Sequence, residues 1–141
     1  MRRTVIGGAP ALRPAAVRTA DHAVRLGVDP AQRDAVELAV HELLANALEH
    51  GHAGDPALPI DVEVDGQDGG PVTVRVTDRA VRGPFEGRTR LDRGDVVPAR
   101  PGHGWQLIHA GVSGVRVHSG PGATVVVAEL ATVPAVADPG R

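Results

Sequence analysis

The stretch VELAVHELLANALEHGH, Val36 to His52, decides how this chain folds. Val36, Val40, Leu43 and Ala47, widened by Leu44, recur at the spacing of one helical face, and Gly51 is a natural stop. Just upstream, Asp29 can cap, Pro30 suits a first helical position, and Gln32 stands three residues beyond the cap in a variant of the capping box. At about 100° per residue, Glu42, Asn46 and His50 fall in a narrow arc beside that stripe. An asparagine mid-helix is a middling helix former, so its position asks for a reason other than propensity.

Around this helix the pattern is of one small domain. The chain has 141 residues, enough for one hydrophobic core. Its net charge is −2, so no global basic field exists to hold nucleic acid or an anionic membrane. It has no cysteine, which excludes disulfides, thiolate nucleophiles and cysteine–zinc sites. All 15 basic residues are arginine; without lysine a P-loop, the strand lysine of eukaryotic-type protein kinases and Schiff-base chemistry are excluded as well. No apolar run is long enough to span a bilayer or to serve as an export signal, so a cytoplasmic protein is expected.

Residues 1–13 read as a flexible start or a short edge strand, and Pro14 to Leu26 as a helix with Val17, Ala20 and Val24 on one face, closed by Gly27. Two alternating runs, Ile60 to Val64 and Val72 to Thr77, read as a hairpin. Periodicity is lost over 79–101, which reads as a lid; there six arginines stand against Glu86, Asp92 and Asp95, a local excess of positive charge. Trp105, Ile108 and Val112 suggest a short helix in which Trp105 serves as a core anchor. Strands follow at Val115 to Ser119 and Ala123 to Leu130, and 131–141 reads as a frayed tail. The order predicts an α+β two-layer sandwich, helices on one mixed, mainly antiparallel sheet, within a single domain over 14–130.

Three features bear on chemistry. The carboxamide oxygen of Asn46 is a hard ligand suited to Mg²⁺, Glu42 could orient or deprotonate a hydroxyl, and His50 could reach phosphate; equally, the trio could be a solvated face. HELLA cannot be a zincin motif, because Ala45 stands where the second histidine is needed, and His41 and His52 then read as ordinary surface or satisfied histidines. In VTVRVTD strict alternation puts Asp78 on the apolar face of Val72, Val74 and Val76, where a carboxylate needs a donor such as the exocyclic amine of adenine; alternatively the strand ends at Thr77 and Asp78 turns outward. Gly102 and Gly104 before the short helix permit close approach of an anion, but Leu107 at the third glycine position rules out a dinucleotide fingerprint.

In this order the pieces resemble the four boxes of the histidine-kinase-like (Bergerat, GHKL) ATP-binding superfamily, over roughly Pro14 to Leu130. ELLANALEHG is similar to the first box, with Glu42, Asn46 and His50 at its Glu, Asn and His; TDRAVRG to the second, with Asp78 as the adenine-binding aspartate; GHGWQLI to the third, with Gly102 and Gly104; and GATVVVAEL to the last, with Gly122 and Thr124 near the base. A short stand-alone domain with a helix before the first box looks most like bacterial anti-sigma-factor serine/threonine kinases. The resemblance implies ATP and Mg²⁺ as ligands, with Mg²⁺ on Asn46 and Glu42 as catalytic base. It further implies phosphorylation of a serine on an anti-anti-sigma partner, binding of a sigma factor, and a homodimer. The chain departs from the second box: glycines usual two and four residues after its aspartate are Ala80 and Arg82. That departure motivates a second reading, a non-catalytic, nucleotide-gated binding module that sequesters a sigma factor or another regulator.

Overall fold

The computed structural model describes residues 1–51, 59–66, 70–78, 95–96, 112–120, 123–130 and 132. In chain order these form strand β1 (Arg2–Val5), helix α1 (Ala9–Arg25), a 3₁₀ turn (Pro30–Gln32), helix α2 (Arg33–Asn46), a π turn (Ala47–Gly51), and strands β2 (Ile60–Gly66), β3 (Val72–Asp78), β4 (Asp95–Val96), β5 (Gly114–Gly120) and β6 (Ala123–Leu130). The sheet order is β1-β2-β3-β6-β5-β4.

Both hairpins form where alternation places them. Val72, Val74 and Val76 on β3 and Ile60, Val62 and Val64 on β2 are buried, while Asp61, Glu63, Thr73 and Arg75 between them are not. The two helices cover this apolar face. Val36, Ala39, Val40, Leu43 and Leu44 of α2, with Leu12, Ala15, Ala16, Ala20 and Ala23 of α1, close a single core over the sheet. Alanine dominates the inner face of α1, which lets that helix sit close to α2 and β2. The result is the expected α+β sandwich of two layers, except that every described strand pair is antiparallel where a mixed sheet was expected.

Several boundaries differ from the sequence reading. Helix α1 begins at Ala9, five residues before Pro14: Gly8, at φ 72°, turns the chain out of β1, Pro10 occupies the first turn, and Pro14 is tolerated inside the helix because it lies on the exposed side. Its buried face follows Leu12, Ala16, Ala20 and Ala23, whereas Val17 and Val24 are half-buried. Residues 1–13 are therefore an edge strand plus the first turns of a helix. Gly27, at φ 119°, does close α1, donating its N–H to the Val24 carbonyl at 3.1 Å. Asp29 caps the 3₁₀ turn, its Oδ1 accepting from the Ala31 N–H at 2.9 Å, and α2 starts four residues later, at Arg33. Within the lid expected over 79–101, Asp95 and Val96 pair with Val117 and Arg116 as an edge strand. In the tail, Thr132 bridges Val28 beside Gly27, and the other residues of 131–141 lie outside the described residues. The helix expected around Trp105 and the remainder of the lid lie outside the described residues; Val112 packs against the core.

The helix layer is tied by one arginine. Arg33 opens α2, and its guanidinium donates to Asp21 of α1 at 2.7 Å, to Asp34 at 2.9 Å and to Glu37 at 2.8 Å, one turn on. These three carboxylates raise the guanidinium further above its already high range, the Asp21 hydrogen bond most. That contact links α2 to α1 alongside their shared apolar packing.

Candidate functional site

Helix α2 carries the first group of candidate residues to the edge of the core. Its leucines and alanines favour helix, Asp34 lies favourably in its first turn, and Arg33 and Glu37 form an i,i+4 pair. Because the buried stripe runs through Leu43, Leu44 and Ala47, the flanking Glu42 and Asn46 are held at the rim, each half-buried. Asn46 is α2's last residue. The side-chain Nδ2 of Asn46 is shut off from solvent and has no hydrogen-bond partner, the buried side-chain atom of that kind among the described residues. A buried amide donor without an acceptor costs about 1–3 kcal/mol, and native structures keep such groups where a ligand or a functional constraint repays them.

Immediately after Asn46 the helix widens into the π turn. The sequence reading carried the 100° step through to His50, and the structure does not continue it. A π turn advances roughly 80° per residue instead of about 100°, so position 50 falls back toward the azimuth of Glu42 instead of drifting round the helix. Single π turns inserted into α-helices recur at functional sites. Nothing in ANALEHG announces this one; Gly51 marks only where the helical segment ends.

Strand β3 brings the second group. It runs through Asp78, one residue beyond the alternative that would have turned that side chain to water, and Asp78 is 2% exposed on the face shared with Val72, Val74 and Val76. A carboxylate so buried has to be held by donors. In register, Asp78 is flanked by Ile60 on β2 and Thr124 on β6. The antiparallel ladder therefore sets positions 78 and 124 side by side, although 46 residues of sequence separate them. Both α2 and the π turn contact β3, so the helix bearing Glu42 and Asn46 packs over the strand bearing Asp78. Gly102, Gly104 and Gly122, with Ala80, Arg82 and Trp105, lie outside the described residues.

This arrangement can bind a ligand that is polar at both ends. The carboxamide of Asn46 offers an oxygen for a hard cation and an NH₂ for an anionic oxygen, and rotation about its last torsion exchanges the two. Asp78 offers a buried acceptor. Among the described residues no three His, Asp or Glu side chains converge as a self-sufficient metal site, so Mg²⁺ on Asn46 would take its other ligands from water and phosphate. No helix among the described residues is long and apolar enough to cross a membrane.

No relative among curated proteins matches the sequence. A solved structure, that of the RsbU and RsbW domains of Rv1364c from Mycobacterium tuberculosis, is similar in fold, with a TM-score of 0.56 at 21% identity. The likeness covers 94% of this chain but 32% of that one, so the chain spans about a third of the protein it resembles. Residues 9–130 match the model of the histidine kinase-like ATPase domain, from the first turn of α1 to the end of β6. Together with the helix layer on an antiparallel sheet, this match shows that the chain belongs to the histidine kinase-like ATPase domain family.

Proposed function

We propose that this protein is a cytoplasmic ATP-dependent serine/threonine kinase of the anti-sigma-factor type, transferring the γ-phosphoryl group to a serine of an anti-anti-sigma partner. The observation that carries the reading is the buried, unpartnered Nδ2 of Asn46, one turn beyond Glu42 and on a helix that contacts the strand ending in buried Asp78. Family membership implies ATP binding, and the donor set fits a magnesium nucleotide. Bound Mg-ATP supplies the transferable phosphoryl group and a cation to neutralise its charge.

The chain's own residues do the rest. Asp78 accepts from the adenine amine and thereby orients the base, with Thr124 as its cross-strand neighbour. Asn46 holds Mg²⁺ through its carboxamide oxygen, and His50 with the glycines at 102, 104 and 122 serves the phosphates and the pocket wall. Glu42, half-exposed at the rim, accepts the proton of the incoming serine hydroxyl as the serine oxygen bonds to the γ-phosphorus and the bridging oxygen leaves with ADP. A sigma factor is the second partner, and the active unit is a homodimer. The fold likeness to a structure containing an RsbW domain supports this line at the level of fold.

Calorimetric titration with Mg-ATP tests the site: saturable binding that is lost in Asp78→Ala and weakened in Asn46→Ala is expected. Phosphotransfer to a cognate anti-anti-sigma protein then tests the base; Glu42→Ala should lower the rate by about 10²-fold or more, and an unchanged rate would remove Glu42 from the role. The departures at Ala80 and Arg82 favour a second reading, a non-catalytic module that binds a regulator under nucleotide control. Stoichiometric transfer of γ-phosphate to a partner serine would exclude it.

A further inference from the structure

Among the described residues two large apolar side chains stand in solvent, Ile6 at 59% exposure and Leu38 at 49%. Leu38 lies on α2. At about 100° per residue it stands one turn before Glu42 and roughly 40° from it round the helix, with about 5–6 Å between the two Cβ atoms. Asn46 stands one turn beyond Glu42, on its other side. The half-buried methyl groups of Ala35 and Ala45 fall within the same arc of roughly 80°, so Glu42 is set in a small apolar patch. A lone exposed leucine is common on folded proteins. Here its place is the informative part: the buried stripe of α2 leaves Leu38 out, and a long polar residue would serve the helix as well.

We propose that Leu38 is a positioning residue for the substrate protein, receiving an apolar side chain that lies within about two residues of the acceptor serine. The inference rests on the kinase reading above, in which Glu42 takes the serine proton. In that reading Mg²⁺ and the phosphates occupy the Asn46 side of Glu42, so the acceptor segment enters from the Leu38 side. An extended segment advances about 3.3 Å per residue. A serine within hydrogen-bond reach of Glu42 therefore places the residue two positions along about 6.6 Å away, one helical turn, above Leu38. An apolar residue there sheds the water over Leu38, whereas a charged or amide side chain loses hydration against leucine without gaining a partner. The contact is made equally in the bound and transition states, so it sets how tightly the substrate protein binds and not how fast the phosphoryl group moves.

The test uses the full chain with Mg-ATP and the cognate anti-anti-sigma protein. Leu38→Ser should raise the KM for that protein by about ten-fold. The kcat, and the Kd for Mg-ATP by calorimetry, should stay within about two-fold. Leu38→Met, close in volume and still apolar, should restore the KM. Replacing the apolar neighbour of the acceptor serine by asparagine should raise the KM of the wild-type protein and add little in Leu38→Ser, since both changes remove one contact. Ile6→Ser is the matched control, because Ile6 follows the edge strand β1 and shares no helix with Glu42; it should leave the KM unchanged. An unchanged KM in Leu38→Ser, an equal rise in Ile6→Ser, or additive effects of the Leu38 and partner changes would each overturn the role of Leu38. Absence of any transfer by the wild-type protein with Mg-ATP bound would remove the kinase reading itself, and this inference with it.

Discussion

Asn46 supplies the sharpest prediction because its cost and its use have opposite signs. Replacing it by leucine, which keeps the branching at Cγ but is bulkier and takes its extra room at the half-buried rim, removes the buried Nδ2 that has no partner. Relief of an unsatisfied buried donor is worth about 1–3 kcal/mol, and leucine adds a few tenths through helix propensity. For a chain of this length that amounts to a rise in Tm of roughly 3–10 °C. The nucleotide reverses the order. Wild-type protein at 100 times its Kd of Mg-ATP gains about 2.7 kcal/mol by linkage, a gain that Asn46→Leu forfeits with its ligand. Urea unfolding followed by far-ultraviolet circular dichroism, with and without Mg-ATP, reads both quantities. The variant should be the more stable protein without nucleotide and should not respond to it. A loss of about 1 kcal/mol or more in nucleotide-free Asn46→Leu, matched by a loss in the smaller Asn46→Ala, which cannot overpack, would show that Nδ2 is satisfied in solution and refute the reasoning.

Three further outcomes are expected. Asp78→Asn keeps the shape of a side chain that is 2% exposed but removes its charge; a hydrogen bond to a charged group is worth about 1.5–3 kcal/mol, so Mg-ATP affinity measured by calorimetry should fall by roughly 10- to 150-fold. Gly66→Ala would set a Cβ 3.2 Å from Val72 Cγ2 and 3.3 Å from Leu26 Cβ, the latter fixed to the backbone at the end of α1; destabilisation by about 1 kcal/mol in urea is expected. Burial, then the N-terminal ammonium, then Arg25 hold the His22 imidazole below its ordinary 6.5. The folded state therefore binds that proton less readily than the unfolded chain, and His22 contributes stability that is complete above pH 6.5 and is lost as pH falls through the lower, folded value. Unfolding midpoints between pH 7.5 and pH 5 should decline less steeply in His22→Gln.

What could be read from the sequence follows from which interactions are local. The alternation in IDVEV and VTVRVTD fixed both faces of β2 and β3, because one-sided burial leaves only one register in which all the valines point inward. The stripe of α2 was legible for the same reason. The start of α1 was not, since Pro14 reads as a helix start until Gly8, Pro10 and the packing of Leu12 are seen together. The β4 pairing, Asp95 with Val117, is long-range and two residues long, with no pattern of its own.

For the candidate site, the types and order of Glu42, Asn46, His50 and Asp78 stand in the sequence, since their chemistry and their places on a helix and a strand are one-dimensional facts. Tertiary structure decided the rest. Pairing with β2 and β6 carried β3 through Asp78 and so buried that carboxylate beside Thr124. In the folded chain Nδ2 of Asn46 is sealed away from water, and the π turn breaks the 100° step toward His50. Burial and register are properties of what lies beside a residue, and what lies beside Asp78, Ile60 on one strand and Thr124 on another, comes from distant parts of the chain.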